Sequence, residues 1–161
     1  MKDLLGVLLV LVFASCVVSA QAVAGKDLGV LEGGTWVGTL EYLDYGSGKR
    51  TAIRSDLNVV KKADGVWTFE YVYPDEPKAN ESSEVVLSGD GKTFNGQAVA
   101  SKQRRDGRLE IVTTKDGDDN SKKAVFRFTY SISAKAFSIR KEVQYVGESG
   151  WFERNIYSWT R

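Results

Sequence analysis

Residues 66–73 read VWTFEYVY, a run in which an aromatic side chain occupies every second position. Successive side chains of a β-strand point to opposite faces of the sheet, so this spacing gives the strand one aromatic face. The residues on that face are Trp67, Phe69, Tyr71 and Tyr73. We expect the face to pack against a core, because alternation over this length is typical of a half-buried strand.

Two later segments repeat this alternation. In the segment at residues 123–132, the apolar face carries Phe126, Phe128, Tyr130 and Ile132. In the segment at residues 136–146, it carries Phe137, Ile139, Val143 and Tyr145, with Lys141 among them. Alternation of this kind predicts an antiparallel sheet whose aromatic faces point inward.

Turn signals separate the alternating runs. The dipeptide Asp-Gly, which accepts the positive φ angles of a type I′ hairpin turn, recurs at residues 64–65, 90–91, 106–107 and 116–117. Further turns are predicted at residues 46–48, 133–135 and 147–150, and one longer connection at 74–82. The strands between them are predicted near residues 35–45, 51–61, 66–73, 84–88, 92–101, 108–114, 123–132, 136–146 and 151–160.

The strand count decides the fold class. No stretch shows sustained helical periodicity, so the chain is predicted to be all-β. About nine sequential antiparallel strands with one apolar face exceed what a flat twisted sheet usually holds, so they should close on themselves. We expect an up-and-down barrel of about 8–10 strands, with one helical turn at residues 26–32 plugging an end.

The N-terminal residues have the order of a secretory signal peptide. A short charged start is followed by an apolar run at residues 4–12, and small residues at Ala20 and Ala22 suit cleavage after Ala22, with cleavage after Ala20 as the alternative. The run is just too short to span a bilayer, so no transmembrane segment is expected. The alternative is a lipid anchor, because residues 13–16, ending at Cys16, resemble a bacterial lipobox.

The predicted organisation is therefore a signal peptide at residues 1–22 and one barrel domain at residues 23–161, in a periplasmic or secreted protein. The 22 basic and 21 acidic side chains nearly balance, so the chain lacks the net positive charge that attracts nucleic acid. Nucleic acid is therefore not an expected partner.

Missing residue types exclude most catalytic and metal chemistry. The chain has no histidine, and its one cysteine, Cys16, lies in the predicted signal peptide. Ser-His-Asp and Cys-His machinery and the ordinary zinc sites are thus excluded, and no cofactor is expected. A carboxylate-based hydrolase is the third-ranked function, with candidate carboxylates at Glu41, Asp44, Glu70, Asp75 and Glu76.

Two charged segments have plain structural interpretations. Residues 116–120 offer oxygen ligands of the kind calcium prefers but lack the spacing of an EF-hand loop, so a solvated hairpin turn is expected there. A basic hairpin tip carries Lys102, Arg104, Arg105 and Arg108. A charged tip of this kind keeps a sheet soluble, and we favour that role over a phosphate site.

The start of the first strand, Gly34-Thr35-Trp36, resembles the Gly-x-Trp motif of lipocalins and related calycin barrels. With residues 36–45 and 152–157, it is similar to small exported bacterial lipocalin-like proteins of uncharacterised function. The resemblance implies a basic residue over Trp36, either Arg154 or Arg161. The lipocalin Thr-Asp-Tyr motif is missing. Haem-binding nitrobindin barrels also begin with Gly-Thr-Trp, but they bind iron through histidine, so haem is not expected.

These observations predict a ligand-binding lumen in the barrel. Its proposed lining is Tyr42, Trp67, Phe69, Tyr71, Phe126, Phe128 and Tyr130, with Lys141 and Arg154 as polar contacts. Buried hydroxyl and ammonium groups need partners, which favours a partly wet lumen that holds a small apolar or amphipathic molecule. The alternative is an envelope structural or interaction protein whose barrel core is filled, since small barrels take either form.

Overall fold

The structure is a computed structural model that describes residues 22–161. The predicted signal peptide, apart from Ala22, and the alternative lipid-anchor site at Cys16 lie outside the described residues. Within residues 22–161, no helix has the length and apolar character needed to cross a membrane.

The described chain is almost entirely β-strand. Helical structure is confined to α1 (Gly25–Leu28), followed directly by a 3₁₀ turn at Gly29–Leu31, and to a second 3₁₀ turn at Pro77–Ala79. The strands are β1 (Thr35–Leu43), β2 (Arg50–Arg54), β3 (Asp56–Ala63), β4 (Val66–Val72), β5 (Glu81–Val86), β6 (Thr93–Phe94), β7 (Gln97–Arg105), β8 (Arg108–Asp119), β9 (Lys122–Ile132), β10 (Ala136–Tyr145) and β11 (Phe152–Thr160).

The strands form one antiparallel sheet in the order β5-β4-β3-β1-β11-β10-β9-β8-β7-β6, and β2 pairs with the second half of β1. A bridge between Leu87 and Phe94 joins the two ends of this order. Backbone hydrogen bonds from Asn95 N to Val86 O (2.8 Å) and from Ser88 N to Thr93 O (3.0 Å) support the junction. The sheet is thus a nearly closed barrel, as predicted, and closure leaves few unpaired edges.

Three of the four Asp-Gly turns are confirmed, and the fourth is wrong. β8 runs through Asp116 and Gly117 without reversing, and the turn lies at Asn120–Ser121, whose φ angles are 46° and 63°. Gly117 is needed for packing, because a Cβ there would lie 2.5 Å from the ring of Phe126. The β8–β9 reversal therefore uses two residues with side chains in the left-handed region.

Two predicted strands are divided in the structure. The predicted strand at 92–101 is broken by a turn at Asn95-Gly96, whose φ angles of 53° and 70° suit a type I′ hairpin. The predicted strand at 51–61 becomes β2 and β3, separated at Ser55, because β1 pairs with β2 at one end and with β3 at the other.

One end of the barrel is packed solid. Its largest buried side chains, all at most 2 % exposed, are Trp36, Trp67, Phe69, Phe137 and Trp159. The turn at residues 25–31 covers this end and buries Leu28 and Leu31, which confirms the predicted plug. The guanidinium of Arg161 lies over Trp36, 4.2 Å from the ring centroid. Arg161 is one of the two basic residues predicted to take this position.

Candidate functional site

A cavity of about 130 Å³ lies inside the barrel, beyond the packed end. Strands β4, β7, β9, β10 and β11 and the β6–β7 turn supply its walls. The lining residues are Tyr71, Asn95, Gln97, Phe128, Tyr130, Ile139, Lys141, Asn155 and Tyr157. Aromatic rings, amides and one ammonium group therefore face a common space.

The aromatic side of the cavity is continuous with the core. Tyr157 stacks on Trp159 with ring centroids 5.2 Å apart and an interplanar angle of 14°. Trp159 in turn stacks on Phe137 at 5.2 Å, and Tyr71 lies 5.3 Å from Tyr157. Because Tyr157 stacks on the core ring of Trp159, the rings of Tyr71 and Tyr157 form a rigid apolar surface against which a flat molecule can pack.

One wall carries a hydrogen-bonded polar network. Gln97, only 6 % exposed, accepts hydrogen bonds through Oε1 from the Thr113 hydroxyl and, at 3.1 Å, from the Tyr130 hydroxyl. The hydroxyls of Tyr73 and Tyr157 lie 3.0 Å apart. Burial raises the pKa of Tyr130 to about 12, and it also raises the pKa of Tyr157. These phenols therefore stay protonated at neutral pH and can donate hydrogen bonds.

Three polar groups of the cavity lack a protein partner. Among residues 22–161, the hydroxyl of Tyr71, the side-chain amide of Asn155 and the ammonium of Lys141 take part in no hydrogen bond or ion pair. All three residues are partly exposed, and among the described residues the fully buried side-chain atom without a partner is Ser55 Oγ, so water or a ligand can reach the three groups. The cavity thus presents a hydroxyl, an ammonium and an amide to whatever occupies it.

Lys141 is half-buried on β10, opposite Phe128 in the strand register. Its ammonium lies over the ring of Phe126, 4.0 Å from the centroid. Burial lowers the pKa of Lys141; the nearby Asp119 carboxylate opposes this, and the Arg154 guanidinium adds to it. The group can therefore carry charge at neutral pH, while its neutral form is more accessible than that of a solvated lysine.

A second cluster lies at the mouth of the barrel around Asp119, which is 8 % exposed. Its carboxylate accepts hydrogen bonds from the hydroxyls of Tyr45 and Tyr145, the second at 3.2 Å. Arg154 approaches Asp119 at 3.8 Å and lies 4.2 Å from the Tyr45 ring. Asp119 is thus a buried anchor for the β1–β2 loop, which corrects the prediction of a solvated turn at residues 116–120.

The predicted lumen residues fall into five places. Those that line the cavity are Tyr71, Phe128, Tyr130 and Lys141. Phe126 lies under the Lys141 ammonium, and Arg154 lies at the mouth. Those buried in the packed end are Trp67 and Phe69. Tyr42 is half-buried, opposite Asn155 in the register, and does not line the cavity.

Sequence reasoning missed the rest of the lining. Alternation back from Trp159 places Tyr157 and Asn155 on the same face, so the pattern contained a signal for both. Asn95 and Gln97 were missed because the Asn95-Gly96 turn was interpreted as part of a strand. Ile139 was placed on the inner face but was not assigned to the site.

The other charged candidates lie away from this cavity. Of the candidate carboxylates, none lines it, and Glu41 is paired with Arg50. At the basic tip, Lys102 and Arg104 lie 2.6 Å and 3.6 Å from Asp27, so these two cations fasten the N-terminal turn to the barrel. Within the described part of the chain, no group of three or more acidic side chains is placed to hold a metal ion.

Comparison with known proteins supports the fold. No protein-family model matches the chain, and no curated protein matches it. A crystal structure of Rv2717c from M. tuberculosis is similar, with a TM-score of 0.58 and 12 % sequence identity. The match covers 84 % of this chain and 95 % of that one. At this identity, the likeness concerns the barrel fold alone.

Proposed function

We propose that this protein is a binding protein, not an enzyme, and that its lumen holds one small amphipathic molecule with an anionic head group. The observation that supports this most is that Lys141, Tyr71 and Asn155 face one cavity and that their polar groups have no partner among residues 22–161. The ammonium would meet the head group, and the hydroxyl would donate a hydrogen bond to it. The ligand's apolar part would pack on Ile139 and Tyr157.

The cavity volume limits the size of the ligand. A volume of about 130 Å³ is close to that of the engineered apolar cavity of about 150 Å³ that binds benzene. A molecule with a single ring is therefore about the largest that this space holds, whereas a lipid or a larger dye exceeds it. Benzoate is a suitable probe because it combines a flat apolar ring with a delocalised negative charge.

The alternative function is a structural or interaction protein with a filled barrel. The solid packing of Trp36, Trp67 and Trp159 supports that alternative at one end of the barrel. The unpartnered groups around the cavity favour the binding function at the other end. A carboxylate-based hydrolase receives no comparable support, because its candidate residues do not meet in the cavity.

We expect Lys141→Met to weaken benzoate binding at pH 7 by at least about tenfold, because a hydrogen bond to a charged group contributes about 1.5–3 kcal/mol. Isothermal titration calorimetry of the purified domain measures the change. The same substitution should not destabilise the fold, since burial disfavours the ammonium. Wild-type affinity should fall as pH rises through the pKa of Lys141, which burial lowers.

Lys123→Met is the matched control, because this lysine is exposed and pairs with Asp118 at 2.9 Å. It should leave benzoate affinity within about twofold, as expected for a solvated, screened ion pair. Equal benzoate affinities of wild type and Lys141→Met would show that Lys141 does not take part in binding. Absence of benzoate binding to the wild type would favour the filled-barrel alternative.

A further inference from the structure

The geometry points to a covalent role for the same lysine: we propose that Lys141 condenses with a small aldehyde bound in the lumen to form an imine. The inference rests on the proposed function because it requires that the cavity admit a molecule the size of one ring. It goes further by naming the carbonyl group as the chemistry that this site can capture.

The first support is the lack of an ion pair for Lys141. Two lysines among residues 22–161 are half-buried, and of these Lys102 lies 2.6 Å from Asp27, whereas Lys141 has no carboxylate within ion-pair distance. The carboxylate that acts electrostatically on Lys141 is that of Asp119. This carboxylate is held by Arg154 and by two tyrosine hydroxyls. No carboxylate therefore fixes the Lys141 amine in its protonated form by direct contact.

The second support is the apolar setting of the amine on a concave site. Nζ lies against the Phe126 ring, and the side chain lines the cavity beside Phe128 and Ile139. Burial lowers the pKa of Lys141 and so favours the neutral amine, which is the nucleophilic form, whereas the Phe126 ring face attracts the ammonium. An amine that is reachable through the cavity yet poorly solvated can attack a carbonyl held in front of it.

The condensation needs no oxidant or reductant. The amine lone pair forms a C–N bond to the aldehyde carbon, and the C=O π pair moves to oxygen, which takes up a proton as nitrogen loses one. The resulting carbinolamine then expels its hydroxyl group with a further proton as water. The product is a C=N bond to Lys141 and one released water molecule.

Two unpartnered groups of the cavity can position the aldehyde oxygen. The Tyr71 hydroxyl, whose pKa is raised chiefly by burial, remains a neutral donor. The Asn155 amide faces Lys141 across the β10–β11 register. Donors aimed at an oxygen that gains negative charge stabilise the addition step.

Reductive trapping tests the proposal on the purified domain. Benzaldehyde with cyanoborohydride converts an imine into a stable benzylamine, and peptide mass spectrometry measures the rate at each lysine. We expect Lys141 to be benzylated at least about fivefold faster than the exposed Lys123, as for a desolvated amine. Excess benzoate should slow the reaction at Lys141 and leave Lys123 unchanged. A rate at Lys141 no greater than at Lys123 would overturn the proposal.

Lys141→Arg separates this proposal from the binding function, because arginine keeps the positive charge and lacks a nucleophilic amine. If benzoate binds both wild type and Lys141→Arg while benzaldehyde does not select Lys141, the imine proposal fails and the binding function stands. If Lys141 is selectively benzylated but benzoate neither binds nor protects it, the imine proposal holds and the anionic head group is wrong.

Discussion

Replacing Trp36 by alanine is expected to lower the free energy of unfolding by about 3–5 kcal/mol, the usual range for removing a large buried aromatic side chain. Trp36 is 0 % exposed and donates a hydrogen bond from Nε1 to Leu31 O at 3.0 Å. Its ring also contacts Phe137 edge-on at 6.2 Å and lies under Arg161 at 4.2 Å. The substitution therefore leaves a cavity and also releases the N-terminal plug. Urea unfolding followed by circular dichroism measures the change.

Trp151→Ala provides the matched control. Trp151 is half-buried outside the core and lies against the Arg127 guanidinium at 4.3 Å. Its removal should cost about 1 kcal/mol or less, as for a partly exposed cation–π contact. Equal losses for Trp36→Ala and Trp151→Ala would show that the packed end does not carry the stability of the barrel.

Gly38→Ala should destabilise the barrel by about 3 kcal/mol, because it overpacks a position with no free space. A Cβ at Gly38 would overlap the Ser158 carbonyl oxygen and lie 2.6 Å from Trp159 Cδ1. The carbonyl belongs to the neighbouring strand β11, where Gly38 is opposite Trp159. Relief would require β1 and β11 to move apart, with loss of ladder hydrogen bonds. The midpoint of thermal unfolding should fall accordingly.

Gly29→Ala is the control for this substitution. Gly29 has a helical φ of −57°, and nothing lies within 4 Å of its Cβ position. Alanine should therefore be neutral or stabilise by about 0.4–1 kcal/mol, since it reduces the entropy of the unfolded chain. A neutral Gly38→Ala would mean that the β1–β11 pairing is looser than described here.

Side-chain alternation was sufficient to predict the inner faces. A strand period of two fixes which residues share a face, so Tyr71, Phe128, Tyr130 and Lys141 could be placed in the lumen before the barrel was known. The same period could not show that the Trp67 end is filled while the Lys141 end is open. That difference depends on how the rings stack along β11, from Tyr157 to Trp159, and across to Phe137 on β10.

Turn chemistry was a weaker guide near the site. Asp116-Gly117 has a strong turn signal, yet its glycine makes room for the Phe126 ring, and the chain reverses only at Asn120. The role of Asp119 depends on Tyr45, which lies 74 residues away in sequence. Contacts over such separations follow from the closed barrel and leave no local pattern in the sequence.

The binding claim is tested most directly by a benzoate titration of the isotope-labelled domain, followed by amide NMR shifts. We expect saturable shifts that fit one site and cluster at residues that line the cavity, namely Phe128, Ile139, Lys141, Asn155 and Tyr157. Amides near the packed end, such as that of Trp67, should shift little. Absence of saturable shifts, or shifts confined to the basic tip at Arg105 and Arg108, would contradict a ligand site in the lumen.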